Sequence, residues 1–87
     1  MKLTELEPRW AGEEGYPRQA VSFRCPHCEE RIVVPFSNPI GDVPVMSGKL
    51  NHWKRTGDTF ETLTLSPSVN QLKHWHGLIT NGEVTNA

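Results

Sequence analysis

Apolar and polar positions alternate with a period of two in several short runs of this chain, and helical periodicity is weak throughout. Between Gln19 and Arg24, Val21 and Phe23 share one face, which predicts a strand. Arg31 to Phe36 is rich in β-branched residues and predicts a second. His52 and Trp53 begin or sit on a third. From Thr59 to Leu65 the alternation predicts another strand, with Phe60, Thr62 and Thr64 on one face and Glu61, Leu63 and Leu65 on the other. The clearest unit is the last. His74 to Ile79 is followed by Thr80-Asn81-Gly82-Glu83 and then Val84. Asn-Gly between two strand-like runs favours a type I′ hairpin, because both residues accept positive φ at little cost.

The breaks complete the outline. Residues 1–20 are polar and interrupted by Pro8 and Pro17. Leu3, Leu6 and Trp10 there could form a short helical face, with a short strand and loop as the alternative. Residues 11–15 read as a turn. Residues 37–50 form a long loop punctuated by Pro39, Gly41, Pro44 and Gly48, and Ser66-Pro67-Ser68 turns the chain again. The expected fold is a mostly β, zinc-ribbon-like antiparallel domain with a long loop and an irregular N-terminal arm. The arm spans 1–19 and the β domain 20–87, within one domain overall.

Composition narrows the function classes. At 87 residues and 36% hydrophobic, the chain has a thin supply for a core, and domains of this kind often add a metal or an oligomer interface. A net charge of -1 provides no general phosphate-binding field, so nucleic-acid binding is not favoured. No apolar run approaches the roughly 20 residues that span a bilayer. The first seven residues carry no apolar signal core, which predicts a cytoplasmic protein.

Cys25 and Cys28, the only two cysteines, stand in C-x-x-C spacing between two predicted strands. Such a turn aims two thiolates at one point, as a zinc knuckle requires. His74 and His76, at i and i+2 on a strand, point to one face, with Trp75 on the other. Cys25, Cys28, His74 and His76 therefore make a complete set for Zn2+, with His52 as the alternative ligand. A redox pair is the competing reading of the cysteines, but no helix follows to depress a thiol pKa. Trp53 and Trp75 read first as core residues and second as a recognition surface.

Four motifs in order resemble a family of small phage and prophage proteins of the DUF6527 type. They are Phe23-Arg-Cys-Pro-His-Cys28, His52-Trp53, Thr64-Leu-Ser-Pro-Ser-Val69 and His74-Trp-His-Gly-Leu-Ile-Thr-Asn-Gly-Glu-Val84. The resemblance covers about residues 20–85. It departs where Arg55-Thr-Gly-Asp58 replaces a Trp-rich, Asn-Gly segment and where the closing strand carries His74 and His76 in place of a Cys and a His. It implies a zinc-binding phage-type protein and brings no reaction with it.

The resulting expectation is a non-enzymatic, zinc-stabilised protein that binds a host or phage protein, for instance as an inhibitor of a defence factor. Asp42, Met46, Lys49 and Trp53 are the candidate contacts. Two alternatives stand beside it. One is a nucleic-acid-binding zinc ribbon using Arg24, Arg31, Lys49, Lys54, Arg55 and Lys73. The other is a small metal-dependent hydrolase, although no spacing of Glu29, Glu30, Asp58 or Glu61 marks a catalytic acid or base.

Overall fold

A computed structural model of the chain describes residues 1–48, 51–71 and 75–86. Within them the protein is mostly β, built from three small antiparallel sheets. The first sheet joins β1 (Arg9–Ala11), β2 (Ala20–Arg24) and β3 (Arg31–Pro35) in that order. The second pairs β4 (Lys54–Thr56) with β5 (Thr64–Ser66). The third joins β6 (Val69–Gln71), β7 (Trp75–Thr80) and β8 (Glu83–Asn86).

The predicted β2 and β3 form around the cysteine turn, in register from Ala20↔Pro35 to Arg24↔Arg31. Val21 and Phe23 are buried on one face of β2, as the alternation requires, and meet Ile32, Val34 and Phe36. Leu65, Val69, Trp75, Ile79 and Val84 close the core from the other two sheets, with Trp53 and Leu63 from the segments just before β4 and β5.

The N-terminal residues join this core. Leu3–Leu6 is a short 3-10 turn that buries Leu3 and Leu6. Trp10 lies apart from that face, on β1, where its ring stacks on Phe60 at 4.4 Å between centroids. Gln19 is fully buried and ties two loops together. Its Oε1 accepts from the Glu13 N–H at 2.8 Å, and its Nε2 donates to Pro44 O at 2.8 Å.

The strand expected over Thr59–Leu65 is shorter than its alternation suggested, and begins only at Thr64. The chain turns first. Gly57 takes φ +81°, the Thr62 N–H donates to Thr59 O, and the two threonine hydroxyls meet at 2.8 Å. Local side chain-to-backbone bonds of this kind compete with strand pairing. β6 carries no periodic signal, being only three residues long.

The terminal hairpin forms as expected. Thr80 pairs with Glu83 around Asn81 and Gly82, at φ 48° and 71°. Glycine is needed at 82 for a second reason, since a Cβ there would press on the carbonyls of Phe60 and Glu61.

Candidate active site

The third sheet places a serine against a histidine. The chain leaves β5 at Ser66, passes a cis Ser66–Pro67 peptide and enters β6 at Val69. Val69 is fully buried, which anchors this corner. The Trp53 indole N–H donates to the Ser68 carbonyl at 3.1 Å and fixes the backbone of the corner to the core.

On β7, burial alternates strictly from Trp75 to Thr80. Trp75 points inward, meets Phe23 edge-on at 6.1 Å, and donates its indole N–H to Asn86 Oδ1 at 3.0 Å. Its ring lies over Gly77, where a Cβ would run into it. His76 therefore faces outward, together with Leu78.

Register brings the two residues together. Asn70 pairs with His76 and Val69 with Gly77. Ser68 is thus diagonal to His76, a separation that a long side chain spans. The Ser68 Oγ and His76 Nε2 stand 3.0 Å apart. Ser68 is half-buried and His76 is exposed, so the pair is open to solvent. With the serine O–H donating to Nε2, the ring is set to take its proton.

The residues singled out for metal lie differently. Cys25 and Cys28 occupy a tight turn between β2 and β3. The Cys25 N–H donates to Glu30 O at 2.7 Å and the Glu29 N–H to Cys25 O at 2.9 Å, with Glu29 at φ 63°. The His27 N–H points at Cys25 Sγ, 3.4 Å away. Cys25 is buried and Cys28 exposed, and no disulfide joins them. The Glu30 main-chain hydrogen bond lowers the Cys28 pKa, but desolvation and the adjacent Cys25 sulfur together outweigh it and raise the thiol above its ordinary value.

Two thiols held this way fit two positions of a tetrahedral zinc site. Among the described residues, no group of three His, Cys, Asp or Glu side chains forms a ligand set. His76 is engaged with Ser68. The His52 Nε2 is 3.1 Å from Met46 O. His74 lies outside the described residues.

Of the candidate partner contacts, Asp42 is exposed in the loop and Met46 half-exposed. Trp53 is a core residue at 8% exposure, and Lys49 lies outside the described residues. Of the basic residues grouped for nucleic acid, Arg24 pairs with Glu7 and Glu29. Arg31 donates to Glu7 O and Ser22, and Arg55 to Asn38 O and Gly57 O.

A serine hydroxyl held against a histidine ring nitrogen, both reachable from solvent on a β scaffold, is the nucleophile-and-base arrangement of serine hydrolases. The comparison with known families agrees in class. Residues 3–87 match the profile of BubE, described as the bacterial ubiquitination-like system serine protease, and the chain belongs to this family. No curated protein and no solved structure matches the chain.

This membership overturns three sequence-based expectations. The resemblance to DUF6527-type phage zinc proteins gives way to the BubE family. The non-enzymatic binding protein gives way to a family described as a protease. The phage, inhibitor and anti-defence reading falls with them. The sequence reading grouped His76 with the two cysteines, and the fold turns its ring towards Ser68, a residue that reading left out. The one available clue was Ser66-Pro67-Ser68 preceding an outward-facing strand histidine. Among the described residues, no helix is long and apolar enough to cross a membrane.

Proposed function

We propose that this chain is a serine protease in which Ser68 is the nucleophile and His76 the general base, and that it cleaves the amide bond at the carboxyl end of a ubiquitin-like modifier. The 3.0 Å contact between Ser68 Oγ and His76 Nε2 carries this reading. The substrate class follows the description of the family.

In the first step Oγ attacks the scissile carbonyl and Nε2 accepts the hydroxyl proton. The C–N bond then breaks, the imidazolium returns the proton to the departing amine, and an acyl-Ser68 ester is left. Water, deprotonated by the same nitrogen, attacks the ester; the acyl–Oγ bond breaks, the imidazolium returns the proton to Ser68 Oγ, and the carboxylate is freed. Among the described residues, the His76 Nδ1 has no hydrogen-bond partner. Orientation of the ring is therefore assigned to the strand itself, which is held by Trp75 over Gly77 and by the Trp75–Asn86 bond.

The test is covalent labelling with diisopropyl fluorophosphate. The expected result is one adduct per chain, mapped to Ser68, absent in Ser68→Ala, strongly slowed in His76→Ala and retained in Ser66→Ala. No adduct, or an adduct elsewhere, refutes the assignment.

A zinc ion on Cys25 and Cys28 is a separate, structural proposal, supported by the adjacent thiols and the main-chain N–H groups that face them. Metal analysis of the purified protein tests it. One zinc per chain, lost in Cys25→Ser, is expected, and none in the wild type refutes it.

A further inference from the structure

We infer that the outer edge of β6 is the docking strand for an extended segment of the protein substrate, which hydrogen-bonds to the main chain of Asn70 and so brings its scissile carbonyl to Ser68. The inference rests on the protease reading above and adds how that site holds its substrate.

The direction of the Asn70 main-chain groups follows from the hairpin register. The Val84 N–H donates to Met1 O, so Val84 and its partner Ile79 face away from one another across β7 and β8. Hydrogen-bonding direction alternates along a strand. Gly77 and Trp75, like Ile79, therefore point their main-chain groups towards β6, where Val69 and Gln71 are their partners. Asn70 and His76 form the intervening pair, and the N–H and C=O of Asn70 point outward. β6 is the edge of its sheet. Among the described residues nothing pairs with that outer side at Asn70.

The other edge of the same sheet is different, because residues 1–3 run along β8. The Leu3 N–H donates to Gly82 O, and Lys2 bridges Glu83. On β6 the open stretch also has a stop. The Ser68 carbonyl, which faces the same way as that of Asn70, is already taken by the Trp53 indole. A strand laid against β6 therefore pairs at Asn70 and can go no further than Ser68. The two positions are about 7 Å apart along a strand, two residues of the docked segment. The carbonyl presented to the Ser68 Oγ is then two residues beyond the one paired with Asn70. Main-chain pairing of this kind selects an extended, unfolded stretch rather than a particular side chain.

The probes are β-casein, a disordered polypeptide, and p-nitrophenyl acetate, which reaches Ser68 without pairing. Asn70→Pro removes the outward N–H, and an edge strand tolerates proline at such a position. Asn70→Ala keeps the N–H. The expected result is that Asn70→Pro lowers kcat/KM for casein about tenfold more than for the ester, the worth of one main-chain hydrogen bond, and that Asn70→Ala separates the two substrates less. Should the proline variant fold poorly, amide exchange at Asn70 in Ser68→Ala replaces it, and slower exchange on adding β-casein is expected.

Equal losses on both substrates by the folded proline variant, unchanged exchange, or a wild type that hydrolyses the ester but not casein overturns the inference. So does a dimer in solution that protects the same amide, since a second copy would then occupy the edge. A wild type that hydrolyses neither probe and takes no fluorophosphonate label defeats the protease reading itself.

Discussion

Replacing Ser68 and His76 singly and together distinguishes a catalytic pair from two surface residues that happen to touch. Their contact is 3.0 Å long, with His76 exposed and Ser68 half-buried. Losing such a bond costs folding about 0.5–1 kcal/mol. For a domain of this size that lowers the Tm by about 2–8 °C. Catalysis responds on a larger scale. A positioned general base contributes about 10²–10⁴-fold, or roughly 3–5 kcal/mol of barrier. His76→Ala is therefore expected to lose about a hundredfold or more in kcat, and Ser68→Ala to lose acyl transfer altogether. The double variant should be no slower than Ser68→Ala, because the two residues act as a unit. The assay is release of p-nitrophenol or of a C-terminal fusion from a ubiquitin-like protein, with thermal unfolding measured alongside. A His76→Ala protein that keeps more than a tenth of wild-type activity, or losses that multiply in the double variant, refutes the dyad.

Three further outcomes follow from packing and charge. Gly77→Ala drives a methyl group into the Trp75 ring and the Thr85 carbonyl and is expected to cost about 1–3 kcal/mol in urea unfolding, because backbone and indole cannot both give way. Gln19→Ala leaves the Glu13 N–H and Pro44 O without their buried partner, for an expected loss of about 2–4 kcal/mol by the same assay. The Glu13 carboxylate is held below its ordinary pKa of 4.5, chiefly by the Ser47 N–H and then by the Ser47 hydroxyl. Its contribution to stability is present above the unfolded value and is lost as pH falls through the lower folded value. Glu13→Gln should flatten that acid limb in unfolding measured across pH, and an unchanged limb contradicts the assignment.

Local causes were legible in the sequence. Asn81-Gly82 specified a hairpin because two adjacent residues had to accept positive φ, and they do. The run around Cys25 and Cys28 specified two strands and a tight turn, since alternation and β-branching act within a few residues. The same local logic overreached at Thr59–Leu65. There, alternation held in the sequence, but hydrogen bonds between Thr59 and Thr62 turned the chain.

The site was not legible, because no local property creates it. Ser68 and His76 are eight residues apart, on opposite sides of a strand reversal. They meet only because β6 pairs with β7 in one register, and a slip of one residue would turn the serine to the other face. Burial of Val69 and Trp75 and the Trp53 bond to Ser68 hold that register, and each depends on a core drawn from all three sheets. By itself, then, the sequence determined a β domain, its last hairpin and its thiol turn, whose causes are turn chemistry and alternation. Tertiary structure alone decided which histidine face meets which serine, because strand register is settled by the burial of residues far apart in the chain.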